Sequence, residues 1–292
     1  MIIGHQKQIT KLRSLIKKND IPHAILFTGP EGVGKKAVAK WFLKTINCLK
    51  NTNSPCGKCI SCNEINDDVH CDVLTISSVE GKIDMEQIEA FRKRVSYRAL
   101  KANYKGVIID NAHSMNLYAQ NAALKTLEEP TVNTVIFLIT EYPHLLFNTI
   151  LSRCFQLNFS LVLEKDILNV IDSKEAAQLA MGRPGKAIIY SKDKEEIRKA
   201  KENKKRADNI IKGSFAYQSG ELKKMIKEEK SEDVNDLLNY FLYIKRNLMI
   251  DKIKKQKSVD SDIEMVKKLE ETVFLKTKTN ANLQLIIERA LI

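Results

Sequence analysis

Apolar residues recur along the first 160 positions at two alternating spacings. Ile9, Leu12, Leu15 and Ile16 share one side of the segment from Gln6 to Lys18, the period of an amphipathic helix. Ala24-Ile25-Leu26-Phe27 is a short continuous apolar run followed by a glycine-rich turn, which predicts a buried strand. A helix is expected from about Gly34, with Ala37, Val38, Phe42 and Leu43 turned inward. Val73 to Ile76 reads as a strand, Met85 to Tyr97 as a helix and Gly106 to Asp110 as a strand. Met115 to Glu128 reads as a helix closed by Pro130, and the β-branched run Thr134 to Thr140 as a fourth strand. A short helix before Arg153 and a strand at Phe155-Gln156-Leu157 complete the series. Strands alternating with helices predict a parallel sheet covered by helices on both faces.

After about residue 160 the strand signal stops. Leu163–Ile171, Lys174–Ala180 and Pro184–Ser191 read as short helices, and the rest from about Lys192 as long amphipathic helix. At 292 residues the chain exceeds the usual size of a single core. Three domains are therefore expected: an α/β domain over 1–160, a small helical domain over 161–207 and an all-α domain over 208–292. In the last, Leu237, Leu238, Phe241 and Ile244 stand at helical spacing and suit either an internal core or an interface. No internal repeat and no low-complexity linker is present.

The charge balance is +12, from 48 basic and 36 acidic side chains. It suits contact with nucleic acid or an acidic protein. The denser basic stretches, Lys192 to Arg206 and Lys245 to Lys257, read first as solvated helix faces, and no aromatic-rich or glycine-rich RNA-binding signature accompanies them. No apolar run reaches the roughly 18 residues of a membrane span, so no membrane contact is expected. The opening MIIGHQKQIT has no apolar segment of signal-peptide length, and a cytoplasmic location is expected.

Gly29-Pro30-Glu31-Gly32-Val33-Gly34-Lys35-Lys36 lies between an expected strand and an expected helix, the context of a phosphate-binding loop. Gly29, Gly32 and Gly34 let the backbone wrap an anion, amide N–H groups point inward, and Lys35 would reach the outer phosphates. The next position normally carries a hydroxyl that binds Mg²⁺. Here it is Lys36, and an ammonium repels a cation rather than coordinating it. Val107-Ile108-Ile109-Asp110 is a hydrophobic strand ending in an acid, the partner motif in which the carboxylate sits beside the metal. A hydrolysing site usually follows it with a glutamate that polarises the attacking water. Asn111 stands there instead, and an amide cannot take the proton. Lys36 and Asn111 both point away from hydrolysis.

Cys48-x7-Cys56-x2-Cys59-x2-Cys62 places four thiols within fifteen residues. In a reducing compartment that spacing predicts a structural Zn²⁺ site, with sulfurs converging at about 2.3 Å from the metal and no position left open for catalysis. Cys71 could replace one ligand. Cys154 reads as a buried, inert thiol.

These motifs, with Asp110-Asn111-Ala112, Asn121-Ala122-Ala123-Leu124-Lys125-Thr126-Leu127-Glu128-Glu129-Pro130 and Thr149-Ile150-Leu151-Ser152-Arg153-Cys154, resemble the gamma/tau and delta-prime group of bacterial DNA polymerase III clamp-loader subunits. The resemblance covers residues 1 to about 190. Beyond that it holds only in helical character and in Asn280-Ala281-Asn282-Leu283. It implies an AAA+ P-loop domain, a helical lid and a C-terminal helical collar, and it selects Cys48 as the fourth metal ligand. It also implies assembly with gamma/tau-type and delta-type subunits, a role in placing the sliding clamp on primer-template DNA, and a trans-acting arginine finger at Arg153 beside Ser152. Lys186 stands near where an active lid would carry a sensing arginine, and it lacks the bidentate fork. The departures at Lys36 and Asn111 match the delta-prime type, which does not hydrolyse ATP; binding of ATP without turnover stays open. Two alternatives remain from the residues alone: an active gamma/tau-type ATPase, and a stand-alone zinc-dependent DNA-binding module.

Overall fold

A computed structural model describes residues 2–50, 53–79, 81–129, 131–212, 231–256, 258–260, 263, 264, 266 and 267. Pro130, the side chains of Leu237, Leu238 and Phe241, and the Asn280–Leu283 stretch lie outside the described residues. The chain divides into two units, Met1–Val170 with Gly182–Gly185, and Ile171–Met181 with Lys186–Ile292.

The first unit is built on a five-stranded sheet in the order β2-β3-β4-β1-β5. The strands are β1 (Ala24–Thr28), β2 (Val73–Ile76), β3 (Lys105–Ile109), β4 (Thr134–Thr140) and β5 (Phe155–Asn158). Every neighbouring pair is parallel, with Ala24 opposite Ile136, Ile25 opposite Phe155, Val73 opposite Gly106 and Lys105 opposite Thr134. Strands buried on both faces need apolar residues at consecutive positions, which is why β1 and β4 lack polar alternation. Ala24, Leu26, Val107, Ile109, Ile136 and Leu138 face one core, shared with α4 (Met85–Ser96) and α5 (Leu117–Glu128). Ile25, Phe27, Ile108, Val135, Phe137 and Ile139 face the other, shared with α1 (Gln6–Lys18) and α2 (Lys35–Ile46).

Three local departures from the sequence reading have physical causes. α5 begins at Leu117 rather than Met115, because Ala112–Ser114 forms a 3-10 turn and the Asn116 side chain accepts from the Ala119 amide at 2.8 Å, capping the helix. In α2 the inward face carries Val38, Ala39, Phe42 and Leu43, while Ala37 is exposed, one residue out of phase with the expected stripe. A seven-residue helix not foreseen from the sequence, α3 (Ile60–Asn66), follows the cysteine-rich turn and buries Cys62 and Ile65. α6 (Asn148–Leu151) precedes β5 as expected, and α7 (Glu164–Leu168) follows it.

The second unit is helical: α8 (Lys174–Leu179), most of α9 (Pro184–Lys192), α10 (Lys194–Lys212) and α11 (Ser231–Lys254). Ala176, Ala177, Leu179, Ala207 and Leu242 are buried in it. Lys201 pairs with Glu175 at 2.8 Å, and the Tyr240 hydroxyl donates to Asp208 at 3.4 Å. Among the described residues no helix is long and apolar enough to cross a membrane.

Candidate functional site

The loop after β1 takes the shape its glycines permit. Gly29 has φ 131°, and a Cβ there would collide with the carbonyl oxygen of Phe159; Gly34 has φ 103° and starts α2. The backbone can therefore turn tightly enough to direct amides toward one point above the sheet. His5 closes the loop from outside, donating from Nε2 to the Val33 carbonyl at 2.8 Å, and the Gly185 amide donates to the Gly32 carbonyl at 2.9 Å. Burial holds the His5 imidazole below its ordinary pKa, so it is neutral at pH 7.

Lys35 is 7% exposed. Its ammonium turns back on the loop, donating to the carbonyls of Gly29 and, at 2.7 Å, of Pro30. Burial pulls its pKa down to about 8 against the attraction of Glu141, Asp110 and Glu31. Lys36 pairs with Asp110, Nζ to Oδ2 at 3.4 Å. The ammonium thus stands beside the carboxylate that would otherwise share a metal ion. Asn111 follows with φ 54°, a left-handed conformation that asparagine tolerates. At the end of β4, the Thr140 hydroxyl lies 3.1 Å from His113 Nδ1, and Glu141 accepts from the Glu31 amide at 3.1 Å. The structure therefore gathers Gly29, Gly32, Gly34, Lys35, Lys36, Asp110 and Asn111 at one end of the sheet. Lys186 falls in the second unit, whereas Arg183, only 5% exposed, belongs to the first and bears electrostatically on Lys35.

The sulfurs of Cys48, Cys56, Cys59 and Cys62 all lie within 4.8 Å of one another. A tetrahedron of thiolates around a 2.3 Å Zn–S bond has edges of roughly 3.8 Å, so the donor set fits such an ion. Amides of Lys58 and Cys59 hold the Cys56 thiol down at about 6, in the thiolate form that ligates metal. Burial pushes Cys62 up to about 12. Cys71 belongs to a separate group with His70 and Asp72. There the Asp72 carboxylate accepts from the amides of Leu100, Lys101 and Ala102 at 2.9, 2.7 and 2.9 Å. That cluster is a backbone clasp between β2 and the turn before β3.

Arg153 lies two residues before β5, the strand next to β1, at the end of the sheet opposite the glycine loop. Its Nη1 donates to the Thr149 carbonyl at 3.0 Å, and its Nη2 meets Glu128 Oε1 at 2.9 Å. The Ser152 hydroxyl donates to the same carbonyl of Thr149 at 3.1 Å. Glu128 ends α5 and also lines an open groove of about 760 Å³ between α4 and α5, with Arg92, Lys93 and Lys125. Glu128, Glu141 and Arg183 are residues whose partnerships the sequence reading did not find.

A parallel sheet in this strand order, with a glycine loop after β1 and an acid after the neighbouring-but-one strand β3, is the P-loop architecture that AAA+ proteins share. A family model described as DNA polymerase III, delta subunit, matches residues 4–162, more than half of the chain. The protein belongs to that family of clamp-loader subunits. Over 193 residues it is 35% identical to DNA polymerase III subunit tau of Bacillus subtilis strain 168, an alignment taking in 65% of this chain and 34% of the relative. Over 155 residues it is 37% identical to the delta' subunit of the same strain, covering 53% of this chain and 47% of the relative. A gamma subunit of Buchnera aphidicola subsp. Acyrthosiphon pisum is 30% identical over 171 residues, 58% of this chain and 47% of the relative. The chain thus spans between a third and a half of the length of these relatives.

Proposed function

We propose that this protein is a non-hydrolysing clamp-loader subunit of the delta-prime type, which helps load the sliding clamp onto primer-template DNA. The observation that carries the reading is the ion pair of Lys36 with Asp110, 3.4 Å long. A lysine side chain stands where the nucleotide's metal would be held, and Asn111 offers no base to the attacking water. The P-loop is then a structural element, and the chemistry this chain contributes lies at Arg153. Its forked, permanently charged donors would stabilise the transferring phosphoryl group on ATP held by a neighbouring gamma/tau-type subunit. Cys48, Cys56, Cys59 and Cys62 would hold one Zn²⁺, which ties the insertion together and supplies no catalysis. Residues 161–207 would serve as a lid and 208–292 as the collar through which gamma/tau-type and delta-type partners are joined.

The test is ATP turnover by the purified chain and by complexes reconstituted with its partners. The chain alone should show none above background, and the complex should hydrolyse ATP when clamp and primed DNA are added. Turnover by the chain alone would support the second reading, an active ATPase, which the 35% identity to a tau subunit favours.

A further inference from the structure

The phosphate loop already has an anion against it. The amide of Glu31, within the loop, donates to Oε1 of Glu141 at 3.1 Å. Amides of such a loop otherwise converge on a phosphate. Glu141 directly follows β4, which lies next to β1 in the sheet, so its carboxylate reaches the loop from the same end of the sheet. The neighbouring positions are filled as well. The Lys35 ammonium is bonded to the carbonyls of Gly29 and Pro30, and Lys36 is paired with Asp110. Glu31 and Asp110 add two further carboxylates that attract Lys35. A triphosphate entering this loop would have to displace one carboxylate and sit beside two more, while the ammonium of Lys35 is already bonded to carbonyls and that of Lys36 to Asp110.

We propose that Glu141 is a built-in anion of the phosphate loop, standing in for a nucleotide phosphate, and that it is the residue which decides that the site excludes nucleoside triphosphates. Lys36 and Asn111 bear on turnover; Glu141 bears on binding. The inference rests on reading Gly29–Lys36 as a phosphate loop and is independent of any role for Arg153.

The experiment is equilibrium binding of a fluorescent ATP analogue to the full chain, with and without Mg²⁺. The wild type is compared with Glu141→Gln, Glu141→Thr, Glu31→Gln and the double variant Glu141→Thr/Lys35→Ala. Wild type should bind weakly, and both Glu141 variants should bind at least about tenfold more tightly. The gain should vanish in the double variant, which locates it at the loop. Glu31→Gln, which removes an exposed charge from the same loop, should gain much less. Wild-type affinity within about threefold of both Glu141 variants overturns the proposal, as does an equal gain from Glu31→Gln, which would make the effect one of general charge. Thermal melts accompany each titration. Glu141→Gln keeps the shape of the side chain and decides alone if Glu141→Thr melts early. Should neither variant fold, saturable micromolar binding by wild type overturns the proposal, and its absence together with that instability supports a carboxylate built into the loop. ATP turnover read in the same wild-type samples tests the non-hydrolysing reading separately.

Discussion

Arg153 is held by two bonds, to the Thr149 carbonyl and to Glu128. The pair with Glu128 is 37% and 48% exposed, so it adds little to stability, within about 1 kcal/mol. Arg153→Ala should therefore leave the chain folded and assembled while lowering the clamp- and DNA-stimulated ATPase of a reconstituted complex. An arginine finger is worth roughly 10³–10⁵ at its own site, and a loader with several sites would lose less in total. Arg153→Lys should rescue poorly, because an ammonium has no fork. Unchanged turnover at equal assembly would make the residue a surface ion-pair partner. Asp72 carries the opposite kind of weight. Burial alone would raise its pKa, but the amides of Leu100, Lys101 and Ala102 outweigh that and hold it below the ordinary carboxylate value. A depressed folded pKa contributes stability that is complete above the unfolded value of about 3.9 and is lost as pH falls through the folded pKa. Asp72→Ala should cost about 2–4 kcal/mol in denaturant melts at pH 7, with the difference from wild type shrinking in that acid range. At this scale the sequence announced what is local. Lys36 and Asn111 sit inside motifs of fixed spacing, and the cysteine quartet is contiguous. Glu141 was silent, because it meets Glu31 across 110 residues of chain.

The elements were legible in proportion to their periodicity. β4 is seven apolar or β-branched residues buried throughout, and its limits agree with the sequence reading. α3 was invisible because its seven residues, Ile60 to Asn66, are mixed polar and apolar and follow a run of cysteines and turn formers. Its N-cap residue is Cys59 and it carries Cys62, so a metal at the quartet would fix its first turn. The expected result is close to one equivalent of Zn²⁺ in protein purified without chelator. Stripping the metal, or Cys62→Ser, should lower the melting temperature by at least about 5 °C. Less than half an equivalent would remove the structural zinc. The start of α5 rests on one side chain, and Asn116→Ala should destabilise the chain by about 1 kcal/mol in chemical denaturation.

For the molecule as a whole, the α/β architecture followed from alternation alone, whereas the C-terminal helices did not reveal what they pack against. Amphipathic spacing serves a core and an interface equally well. A chain ending at about residue 210 keeps every strand of the sheet and the helices that cover it. It should stay folded by circular dichroism yet fail to join gamma/tau-type and delta-type subunits in gel filtration. Normal assembly by the truncated chain would dismiss the collar.

Strand direction carries one more consequence. All five strands run the same way, with the glycine loop leaving the top of β1 and Arg153 entering the bottom of β5 beside it. A strand's length, roughly 15 Å, separates the two levels. The glycine loop and Arg153 thus lie at opposite ends of the sheet, and in the proposed trans role the arginine can meet such a loop only on a neighbouring molecule. Under the proposed trans role of Arg153, subunits that pass the arginine on in one direction follow one another head to tail, and the rotation between neighbours then sets how many complete the arc.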